Sequence, residues 1–148
     1  MTALIPASLL LNIAVLIPVC WGIWTAADWA EAAYGPASDA RGILLAVYLA
    51  ILALSALLLV VFLVVGDPRL VAALLMVQVL YKLLTPVTVG HWGHPVVSAN
   101  LAFAGVHMVT LVTIWLSWVR CGAGVFRALN TGPIPGPYLS RTGSILGP

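Results

Sequence analysis

Of the 148 residues, 63% are hydrophobic and only 7% charged, at a mean hydropathy of +1.14. Soluble domains carry about 25% charged residues, so a water-soluble globule is excluded. Six basic and four acidic side chains, net +2, are too few for the dense cationic patch that nucleic-acid affinity needs, which removes nucleic acid as a partner.

The first apolar run, Ala3 to Trp24, is long enough to cross a hydrocarbon core of about 30 Å. No Lys or Arg precedes it and it exceeds a signal-peptide core, so it reads as a retained helix although Ala30-Glu31-Ala32 resembles a cleavage site. The loop Thr25–Gly42 is acidic and holds Trp29 and Tyr34. With Trp21 and Trp24 just before it, this predicts an interfacial aromatic belt and a short amphipathic segment on the membrane surface.

Three further runs follow: Ile43–Val65, Leu70–Val89 and Val96–Val119. All are continuously apolar and none alternates with period two, so helices are expected and barrel strands are not. Gly66-Asp67-Pro68-Arg69 is a tight turn in which Pro68 stops one helix and opens the next. Gly90-His91-Trp92-Gly93-His94-Pro95 joins the last two spans in the same way. The expected fold is an all-α, four-transmembrane-helix bundle with up-down-up-down topology, occupying residues 1–121. Residues 122–148 contain six Gly and four Pro and read as an extended cytoplasmic tail that forms no core of its own.

Orientation follows from the basic residues. Arg69, Arg120, Arg127 and Arg141 share one side, against Arg41 alone on the other, which predicts both termini in the cytoplasm and a bacterial-type inner membrane location. Cys20 and Cys121 fall near opposite ends of the spans, too far apart for a disulfide.

Polar residues inside the spans carry the functional information, because hydrocarbon makes them costly. Asn12, Gln78 and His107 each fall roughly 18 Å from the end of the bundle that carries Thr25–Gly42, and Ser55 lies at about the same depth. On the third span, Gln78, Lys82 and Thr85 share a face with Tyr81 at its margin, opposite Met76, Leu80, Leu83 and Val87. On the fourth, Asn100, Ala104, His107 and Leu111 form a polar stripe, while Ser98, Ala102, Gly105 and Val109 form a stripe of mostly small residues suited to close helix approach. Equal depth and a short connecting turn predict that Gln78 pairs with His107.

Lys82 has no Asp or Glu at its depth. It is expected to snorkel toward Asp28 or Glu31, to shed its proton, or to hold an anionic ligand. His91 and His94 have a ligand-like spacing, but they sit in a turn with no Cys or carboxylate close behind, so a metal is not expected. His107 is the one histidine within a span, which disfavours a bis-His haem and leaves single-His tetrapyrrole ligation there as a minor alternative. No nucleophile elbow, phosphate loop or HExxH is present, so an enzyme is not expected.

Two readings follow. The leading one is a small accessory subunit of a larger membrane protein complex, meeting other subunits through Ser98, Ala102 and Gly105 and through Pro135, Pro137 and Tyr138 of the tail. The alternative is a bundle that binds or transports an amphiphilic anionic, lipid or quinone-like ligand at Lys82, Gln78, Tyr81, Asn100, His107 and Asn12.

Overall fold

The computed structural model describes residues 3–90 and 92–131, with side chains as far as residue 120. Five helices follow one another: α1 (Leu4–Trp24), α2 (Asp28–Tyr34), α3 (Asp39–Val65), α4 (Arg69–Val89) and α5 (Pro95–Thr131). There is no strand among the described residues. Four stretches are long and apolar enough to cross a membrane: Leu4–Trp24, Asp39–Val65, Arg69–Val89 and Pro95–Arg120. A first compact unit ends at Leu116 and a second begins at Ser117; all that follows on packing concerns the first.

The helix ends are set by local chemistry. Ser38 accepts a hydrogen bond from the Arg41 N–H at 3.2 Å, and Asp39 sits in the first turn where the helix dipole favours a negative charge. That cap starts α3 at Asp39, four residues before the apolar run that marks it in the sequence. Gly66 and Gly90 end α3 and α4 in the left-handed region, at φ 75° and 82°, with their N–H groups returning to Phe62 and Pro86 carbonyls. Asp67 accepts from the Arg69 N–H at 2.9 Å and opens α4.

At its far end α5 runs on to Thr131, so residues 122–131 are helical where composition predicts extended chain. The sequence there contains no proline before Pro133, and two glycines alone do not break a helix. Pro135, Pro137 and Tyr138 lie outside the described residues.

The segment between α1 and α3 is the short helix α2, packed onto the bundle. Ala30 is fully buried, and the Trp29 ring lies so close over Gly22 that a Cβ there would collide with it. Arg41 holds this corner together. It is only 5% exposed; its guanidinium donates to the Gly35 carbonyl at 2.8 Å, the Ile23 carbonyl at 3.1 Å and the Glu31 carboxylate at 3.5 Å. A cation is thereby placed on the carbonyl ends of α1 and α2, where the dipoles favour it.

The core is layered. One apolar cluster joins Ile5, Leu9, Leu58, Leu75 and Ile114 toward the Gly66 turn, and another joins Leu16, Cys20, Ile23, Ala30 and Tyr48 beneath α2. Between them lies a belt of buried polar side chains. The outer faces of the helices are apolar and exposed, among them Val60 and Val64 of α3 and Met76, Leu80, Leu83 and Val87 of α4, as lipid contact requires.

Candidate functional site

The belt is built from residues one or two turns apart on each helix. Ser8 and Asn12 are four apart on α1, and His107 and Thr110 are three apart on α5, so each pair shares a face. His107 Nε2 meets Asn12 Oδ1 at 3.0 Å, and Asn12 Nδ2 donates to Ser55 Oγ at 3.5 Å, linking three helices through one amide. With a carbonyl oxygen as its partner, His107 Nε2 is the donor, and Nδ1 of the neutral ring is left as an acceptor. One turn away, Ser8 and Thr110 hydroxyls lie 2.7 Å apart. Thr110 gives its only proton to the Val106 carbonyl at 3.1 Å, so Ser8 is the donor across the helix interface.

On α4, Gln78 and Lys82 are four apart and both face inward, at 0% and 5% exposure. Lys82 Nζ donates to Gln78 Oε1 at 2.9 Å and to the Tyr81 hydroxyl at 2.6 Å, and lies 4.4 Å from the Tyr81 ring centroid. The lysine therefore curls back onto its own helix. It neither reaches Asp28 or Glu31 nor pairs with any carboxylate among the described residues. Glu31, half-exposed, is taken by Arg41. Toward α5, Asn100 Nδ2 donates to Thr85 Oγ1 at 3.1 Å, and Thr85 passes its own proton to the Tyr81 carbonyl at 3.0 Å.

The expected Gln78–His107 bond does not form. Gln78 Oε1 is occupied by Lys82 and His107 Nε2 by Asn12, which leaves Gln78 Nε2 and His107 Nδ1 buried with no hydrogen-bond partner among the described residues. Each such orphan costs about 1–3 kcal/mol.

A cavity of about 210 Å³ opens beside this arrangement, lined by Asn12, Tyr81, Lys82 and Asn100 together with an aromatic wall of Trp29, Tyr34, Tyr48 and Phe103. Burial pushes the Tyr34 hydroxyl above its ordinary range, so it faces the cavity as a neutral phenol. A groove of about 780 Å³ shares Tyr34, Tyr48, Tyr81 and Asn100 with the cavity and continues between Leu44 and Val47 of α3 and Leu84 and Thr88 of α4.

Four of the six residues expected to bind a ligand, Asn12, Tyr81, Lys82 and Asn100, thus share one cavity wall. Gln78 and His107 stand behind it, and His107 lines neither the cavity nor the groove. Ser98, Ala102 and Gly105 are exposed on the opposite side of α5, with open space beside Gly105. His94 Nδ1 accepts from the Val96 N–H at 3.2 Å, and His91 lies outside the described residues. No three of His, Cys, Asp and Glu come together among the described residues.

Sequence reasoning missed Tyr48, Ser8, Thr110 and Arg41. For the first three a signal existed: Tyr48 is two helical turns from Ser55, Ser8 one turn from Asn12, and Thr110 one turn from His107. Compared with models of protein families, with curated proteins and with solved structures, the chain matches none.

Proposed function

We propose that this protein is a membrane bundle that holds a small amphiphilic molecule, with its polar head at Lys82 and its apolar part among the aromatic side chains beneath α2. The observation that carries the reading is a buried amine that lines a cavity and has no carboxylate partner among the described residues. Desolvating an ammonium is expensive, and a cation kept in an apolar wall without a counter-ion is characteristic of a ligand contact. Asn12 and Asn100 add polar groups to the same wall, and the aromatic remainder suits a lipid or quinone-like body.

The test is extraction in mild detergent followed by mass spectrometry of the retained small molecules. Wild type should carry one amphiphile at substoichiometric or higher occupancy, and Lys82→Met should lose it while folding as stably or more so. The same species at the same occupancy in Lys82→Met would refute the reading.

The topology that goes with this function is up-down-up-down, with both termini and residues 122–148 on the cytoplasmic side of an inner membrane. Arg41 supports that orientation. Among the described residues it is the one arginine on the α2 side and is consumed as a helix cap, whereas Arg69 at the other end is exposed.

A second reading, the accessory subunit, is favoured by the exposed face of Ser98, Ala102 and Gly105, which contacts nothing else in the described chain closely enough to cover it. Weighing the detergent-solubilised particle separates the two: a 15.6 kDa protomer with no co-purifying chain removes the subunit.

A further inference from the structure

Lys82 and Tyr81 form a pair of donors whose capacity is not exhausted. An ammonium has three N–H groups; two go to Gln78 Oε1 and the Tyr81 hydroxyl, leaving one. The Tyr81 hydroxyl accepts from Lys82, and its own proton is given to no other described group. Two donor hydrogens, one on nitrogen and one on oxygen 2.6 Å away, therefore stand side by side on the cavity wall. Two adjacent donors match the two oxygens of a carboxylate, and a single positive charge matches its single negative one. A phosphate ester head would bring a third oxygen and up to a second charge, for which this wall offers no further cation.

One apolar path leads from that pair toward the bilayer. The cavity beneath α2 is small, at about 210 Å³, but it borders the groove of about 780 Å³, with Tyr34, Tyr48 and Tyr81 lining both. That groove lies between the start of α3 and the end of α4, away from the Gly66 turn that joins the two helices. Leu84 and Val47 on its walls are about half-exposed, on the surface that meets lipid. Its volume falls within the about 300–1,000 Å³ usual for ligand sites.

We infer that the ligand is a long-chain carboxylic acid, gripped at its carboxylate by Lys82 Nζ and the Tyr81 hydroxyl, with its chain leaving sideways through the α3–α4 groove into the bilayer. This rests on the ligand-binding reading above and narrows it to one head group and one entry route. Lys82 supplies the charge, Tyr81 the second hydrogen bond, and Leu84 and Val47 the walls along which the chain slides.

Native mass spectrometry of the full chain in detergent, titrated with palmitate, methyl palmitate, hexadecyl phosphate and octanoate, tests it. Palmitate should bind one to one and methyl palmitate at least about tenfold more weakly, since it lacks the charge-assisted bonds. Tyr81→Phe should weaken palmitate by about tenfold for loss of one such bond. Leu84→Trp, a change at a lipid-facing position, should block palmitate and spare octanoate. Methyl palmitate binding as well as palmitate, or hexadecyl phosphate binding better, would overturn the carboxylate; palmitate unaffected by Leu84→Trp would overturn the route. Any of these leaves the general ligand-binding reading standing. Failure of all four probes, with no amphiphile in the purified protein, defeats both.

Discussion

Asn12 is the side chain whose removal should report most directly on the polar belt. Replacing it with Leu deletes the 3.0 Å bond to His107 and the weaker 3.5 Å bond to Ser55. Interhelical hydrogen bonds in membranes contribute about 0.6 kcal/mol on average and up to about 1.7. The short bond belongs in the upper part of that range and the long one near the bottom. His107, already holding one orphan nitrogen, would then hold two at 0% exposure, adding part of the about 1–3 kcal/mol that a buried unpaired group costs. The total for Asn12→Leu is about 2 kcal/mol. His107→Leu removes the same bond but also discards the orphan Nδ1, so it should cost less, about 1 kcal/mol or below. In a double-mutant cycle, measured by reversible unfolding in mixed micelles, Asn12 and His107 should couple by about 1 kcal/mol, whereas Gln78 and His107 should be additive within about 0.5. Coupling of Gln78 to His107 larger than that of Asn12 to His107 would refute the hydrogen-bond assignment on which the belt rests.

Arg41→Met strips a cation from the carbonyl ends of α1 and α2 and should lower stability by about 2–3 kcal/mol in the same unfolding assay. Ala26 sits at φ 51°, a left-handed conformation that a Cβ disfavours, so Ala26→Gly should stabilise by about 0.5–1 kcal/mol; destabilisation would show that this strain is not felt. Gly22→Ala should drive the Trp29 ring off α1, shifting tryptophan emission in a way that disappears when Trp29 is first replaced by Phe. Ser8→Ala should cost about 0.6 kcal/mol, and Thr110→Val should add well under that in the double variant, because the two share one bond.

The spans, the inward face of α4 and the two faces of α5 were legible in the sequence because burial in a bilayer sorts residues by period alone: Gln78 and Lys82 are buried, Met76, Leu80, Leu83 and Val87 exposed, His107 buried and Gly105 exposed. Which polar group bonds which was not legible. Equal depth places Gln78 opposite His107, but depth says nothing of azimuth, and the i,i+4 lysine on Gln78's own helix is a nearer partner than any residue on another helix. Arg41 was invisible for a related reason. A basic residue in a charged loop looks solvated, and only the convergence of Ile23 and Gly35 carbonyls turns it into a cap. The same convergence makes α2 part of the cavity roof, so Trp29 and Tyr34 read as an interfacial belt in the sequence and form a wall in three dimensions.

The bonds of the belt also bear on how the chain assembles. Its two most distant links join residues 95 and 102 positions apart, from α1 to α5. During membrane insertion α1 arrives first, packs on α3, and presents Ser8 and Asn12 to a seam whose other half has yet to be synthesised. Until the last helix enters, Ser8 and the carbonyl of the Asn12 amide lack their α5 partners, and the register of the early helices is held by apolar packing, the long Asn12–Ser55 bond and the Arg41 cap. Completion of the bundle is therefore reserved for the final span: a chain halted after α4 would be inserted yet unlatched.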